Sequence, residues 1–92
     1  MSEPMYRVKQ RPDLATVAGK FMVVSQFAEP KRYDKDTHEF VYLSFNELDE
    51  EWWRLASPSV FDEKRIHWGE STWLINADGT LSFSGANYDS SG

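Results

Sequence analysis

The chain contains no cysteine, which excludes disulfide staples, thiolate nucleophiles and cysteine-ligated zinc, and fits a reducing compartment. It also lacks any apolar run approaching the roughly 18 residues that a membrane span requires. Met1 to Gln10 carries charges but no apolar stretch of signal-peptide length. These absences lead to the expectation of a cytoplasmic protein that does not touch a membrane. There is no glycine-rich phosphate loop, Walker sequence or dinucleotide fingerprint, and no internal repeat. His38 and His67 are the only histidines.

Basic residues are scarce over most of the length. Residues 1–35 hold seven Lys/Arg against four Asp/Glu, a balance of +3, whereas residues 36–92 hold three against eleven, a balance of −8, and together they give the net −5. Such a division draws a charged partner to one pole and orients it by the other. With 92 residues there is room for one domain, and an aromatic content of 15% supplies apolar area out of proportion to length. The expected organisation is a single α+β domain over residues 1–84 with a polar tail over residues 85–92.

The pattern predicts a small antiparallel sheet of four to five strands with one principal helix packed on one face. Met5 to Gln10 alternates as a short strand. Residues 12–28 read either as a helix or as a turn followed by a strand over Lys20 to Phe27, and the β-branched, aromatic run favours the strand. His38 to Phe45 reads as the central strand, apolar on both sides, joined to Lys20–Phe27 through the polar loop Pro30 to Thr37. Ser44 to Glu47 has the form of a capping box, so a helix of about three turns should follow, with Phe45, Leu48, Trp52, Leu55 and Ala56 inward and Glu47, Glu50 and Arg54 outward. Ser57 to Ser71 reads as an irregular connection with one turn. Asn76-Ala77-Asp78-Gly79 should close a terminal hairpin between Thr72–Asn76 and Thr80–Ser84.

Two charged sets are candidate contact surfaces. On the predicted helix, Glu47, Asp49, Glu50 and Glu51 surround Trp52 and Trp53. Neighbouring helical residues point about 100° apart, so with Trp52 inward Trp53 lies toward the edge, an aromatic anchor among carboxylates of the kind found at interface hot spots. These acids, with Asp62, Glu63 and Glu70, imitate a phosphate backbone locally rather than throughout. Arg7, Lys9, Arg11, Lys31 and Arg32, with Lys35, form the basic set, and Tyr6, Phe27 and Tyr33 are available for stacking. A net charge of −5 opposes binding of free nucleic acid.

Other constellations carry less. Asp34, Asp36 and His38 alternate as hard ligands would, but Glu39 stands where a calcium loop needs glycine and Phe45 where it needs a bidentate glutamate, so no metal and no cofactor is expected. Gly69-Glu70-Ser71 beside His67 lacks the second glycine of a nucleophile elbow. No catalytic residue is assigned and no enzymatic activity is expected.

Small size, absent cysteine, high aromatic content and patches of both charge signs together resemble the small inhibitors that phages direct against bacterial defence, anti-CRISPR proteins especially. The resemblance is one of size and character over the whole chain and rests on no motif. It implies a stoichiometric blocker, monomeric in the host cytoplasm, that docks on a large host protein or protein–RNA complex and denies DNA its basic channel. A small acidic interaction domain without a nucleic-acid partner, such as a toxin neutraliser or assembly accessory, is the alternative.

Overall fold

A computed structural model describes residues 8–87. The chain is α+β, built on a four-stranded antiparallel sheet and a separate two-stranded one. After a single helical turn, α1 (Leu14–Val17), come β1 (Phe21–Ser25), a 3-10 turn (Gln26–Ala28), β2 (Lys31–Asp34) and β3 (Glu39–Tyr42). A second 3-10 turn (Phe45–Glu47), α2 (Glu50–Ala56), β4 (Ser59–Phe61), β5 (Glu70–Ile75) and β6 (Leu81–Asn87) complete it. The main sheet runs β4-β1-β5-β6, and among the described residues β2 pairs only with β3. Among the described residues, no helix is long and apolar enough to cross a membrane.

The β-branched run of β1 makes it a central strand, with Met22, Val23 and Val24 all buried. Met22 and Val24 face one side, where Val60, Trp73 and Ile75 join Phe45, Leu48 and Trp53 in the core. Val23 and Thr72 face the other side. There the Thr72 hydroxyl donates to the Arg65 carbonyl, and Ile66 lies over Gly85, so residues 62–68 strap the back of the sheet. Ser84 is an extra residue in β6, since Thr72 pairs with Gly85 while Trp73 pairs with Phe83.

β1 lies inside the run Lys20–Phe27 that the sequence reads as a strand, and a short helical piece precedes it as expected, though the run ends in the Gln26–Ala28 turn; the terminal hairpin also agrees. Gly79 adopts φ +93° and its carbonyl accepts the Phe45 N–H at 2.7 Å, which ties the turn to the core. A Cβ there would sit 2.8 Å from Asn46 Nδ2. Gly79→Ala is expected to cost about 1–3 kcal/mol, read as a lower urea midpoint at unchanged slope. In the same turn, the Thr80 backbone N–H and hydroxyl both donate to Asp78 and hold its carboxyl below the usual 3.8. A lowered folded pKa means support that is present above the ordinary carboxylate range and lost as pH falls through the depressed value. The stability difference between wild type and Asp78→Ala should therefore be flat near neutrality and shrink in acid.

Several expectations fail, among them the irregular connection over Ser57–Ser71, which supplies β4. His38–Phe45 is not the central strand and does not pair with Lys20–Phe27. Instead the supposed loop Pro30–Thr37 supplies β2, and β1 pairs with β4 and β5. Phe40 and Tyr42, which suggested two-sided burial, are exposed rings on one face of the β2–β3 hairpin. The helix predicted from Phe45 onward is broken. Glu47 caps the first turn by accepting the Ser44 N–H at 2.8 Å, and Asp49 then caps a new helix by accepting the Trp52 N–H at 2.9 Å. Lastly, β6 continues through Asn87, past the expected tail boundary. Of the predicted strand Met5–Gln10, the first part lies outside the described residues. Val8 to Gln10 is not a strand, although the Val8 N–H donates to the Pro58 carbonyl at 2.7 Å.

Candidate partner-binding surface

The second cap at Asp49 resets the helical phase, and this decides which tryptophan faces out. Trp53 has 0% exposure and lies edge-on to Phe45 and Trp52, with ring centroids 5.6 and 5.0 Å away. Trp53 is therefore a core residue and not the surface anchor that continuous helical spacing from Phe45 suggested. Trp52 is the half-exposed ring. Leu55, expected inward, is 67% exposed.

Across from Trp52 and Leu55 stands Phe27, at 90% exposure on the Gln26–Ala28 turn. The turn is capped by Ser25, whose hydroxyl accepts the Phe27 N–H at 3.2 Å, so a local bond fixes the backbone while the ring gains no cover. Phe27, Ala28, Trp52, Leu55 and Ala56 line one open groove together with the charged residues Asp49, Glu51, Glu29 and Lys31. Five neighbouring apolar side chains in contact with water form a surface that another molecule can dehydrate at a gain of roughly 25 cal/mol per Å².

The predicted acids separate around this groove. Asp49 and Glu51 are part of its lining. Glu50 turns with Glu51 toward a second shallow depression that also holds Lys9 and Arg54. Glu47 is exposed and occupied by its bond to the Ser44 N–H.

The basic set does not form one face. Lys9 meets the acids of α2, so charges of both signs do adjoin there. Arg11 bonds Asn46 Oδ1 at 3.1 Å and lies 5.6 Å from the centre of the Phe45 ring. Lys31 sits 3.5 Å from Glu29 and 4.8 Å above Phe40. Arg32 is exposed on the opposite side of the hairpin, across from Val41. Arg7 lies outside the described residues. No protein-family model, curated protein or solved structure matches the chain.

The remaining constellations have local roles. Asp34 Oδ1 accepts the Asp36 N–H at 2.9 Å, and His38, at φ +59°, bonds the Tyr33 hydroxyl at 3.2 Å, so the alternating trio builds the hairpin tip. Ser71 is buried and accepts from Trp73 Nε1 at 2.9 Å, whereas His67 is exposed on the strap. The sequence reading gave Phe27 a stacking role beside the basic set and placed Leu55 inward, and so did not bring the two together in this groove. The available signal was Asp49-Glu50-Glu51, an N-cap followed by two first-turn acids, which marks a helix start five residues later than assumed.

Proposed function

We propose that this chain is a non-enzymatic binding protein of the phage defence-inhibitor kind. It seats the groove between Phe27 and α2 on a Lys/Arg-bearing surface of a host protein–RNA complex in the cytoplasm and so excludes target DNA. The observation that carries this reading is the 90% exposed Phe27 facing Trp52 and Leu55 across a groove whose lining includes Asp49 and Glu51. Apolar side chains beside carboxylates complement a surface whose cations grip phosphates and whose side-chain stems are apolar. The rings supply affinity on desolvation, and the carboxylates supply orientation and rate of encounter.

Tagged protein captured from host lysate, with and without nuclease treatment, identifies the partner, and the purified complex is then titrated with the chain in a DNA-binding assay. The expected result is loss of DNA binding at one equivalent, without turnover, weakening as salt rises. Undiminished DNA binding by a saturated complex would contradict the inhibitor reading.

A further inference from the structure

The two edges of the main sheet differ in how they are guarded. β4 is three residues long, has Val8 bonded beside it at Pro58, and runs into Asp62-Glu63-Lys64-Arg65. β6, at the other end, has seven residues with neither a charge nor a proline, and uncharged open strands are templates for pairing. The Asn76 N–H donates to the Thr80 carbonyl at 2.9 Å, which sets the alternation. Ser82, opposite Leu74, turns its backbone toward β5, and Leu81 and Phe83 turn theirs outward. Their side chains lie on the core side of the sheet, where they line an apolar groove with Tyr42 and Trp73. Tyr42 is 60% and Phe83 55% exposed, with Trp73 between them at 5.2 and 5.0 Å.

We propose that β6 pairs antiparallel with the β6 of a second copy about a two-fold axis at Ser82, making one continuous sheet from two. Pairing centred there sets Leu81 opposite the second copy's Phe83, and Phe83 opposite its Leu81. These are the residues with outward backbones, so each pair exchanges both of its hydrogen bonds. The same operation lays each Leu81 against a Phe83 ring on the groove side and puts Ser82 against Ser82 on the other. The patch is thus complementary to itself, as an isologous contact must be. Charge does not oppose a second copy at this edge: two molecules of net charge −5 meet along a strand that bears none of it, and among the described residues no ionisable side chain other than the Tyr42 phenol lines the groove. With β4 guarded, the described residues of each copy offer one such uncharged edge, so association closes at the dimer. The dimer takes the place of the monomer expected from sequence.

Sedimentation equilibrium of the full chain tests this. The contact is small, so mass should rise from 10.7 kDa toward twice that value across the micromolar range and above. Ser82→Lys and Ser82→Glu each place like charges face to face on the axis and should weaken the dimer at least about tenfold, while an equimolar mixture of the two should restore it. Phe83→Lys, on the groove side, should weaken it similarly. Thermal melts confirm that each variant folds. A wild type that stays monomeric, association that grows past the dimer, single variants that dimerise unchanged, or a mixture that fails to recover would each overturn the proposal.

Discussion

Replacing Trp53 with alanine is expected to destabilise the fold by about 3–5 kcal/mol, a large share of the ~5–15 kcal/mol that holds a small domain together. The ring is fully buried between Phe45 and Trp52 and against the sheet residues Met22, Val24 and Val60. Its loss leaves a cavity in the hydrophobic core. Trp53→Phe should cost less than Trp53→Ala, because phenylalanine keeps most of the packing and the indole N–H finds no acceptor among the described residues. Trp52→Ala, at a half-exposed site, should cost about 1–2 kcal/mol. Urea unfolding of the three variants checks the order, and equal losses at Trp52 and Trp53 would mean that the helix phase is wrong.

Phe27→Asp combined with Leu55→Asp is expected to do the reverse, leaving the unfolding midpoint near wild type while weakening partner binding at least about a hundredfold (~2.7 kcal/mol). At 90% and 67% exposure these side chains contribute little burial to the folded monomer. Two new carboxylates at the groove would also meet buried apolar surface in the complex, which adds the cost of desolvating unpaired charge. Isothermal titration with the purified partner reads the affinity, and unchanged affinity with intact folding would remove the groove from the contact.

How far the sequence foretold this molecule depends on the range of each signal. The Asn76–Gly79 turn and the strand at Phe21–Ser25 were legible because local chemistry decides them: a glycine at positive φ, and a run of β-branched residues between turn formers. Strand pairing was not legible. His38–Phe45 carried more aromatic residues than any other candidate strand, but aromatic rings pack edge to edge on an open hairpin as well as in a core, as Tyr33 and Phe40 do at 5.4 Å. The acidic segment beside the tryptophans was visible, yet its anchor was misread, since a second N-cap at Asp49 moved Trp53 inward and left Trp52 half exposed. Phe27 had no periodic signal at all. Its exposure arises from a three-residue turn, and only the chain's path across the sheet brings it opposite α2.

Hydrogen exchange of this chain alone and in complex with the purified partner shows whether the groove between Phe27 and α2 meets the partner. Slowed exchange is expected over Gln26–Ala28 and Glu50–Ala56, and it should disappear in the Phe27→Asp, Leu55→Asp variant. Protection confined to the residue 62–68 strap or to the hairpin tip around Asp36, with the groove exchanging as in the unbound chain, would contradict that contact.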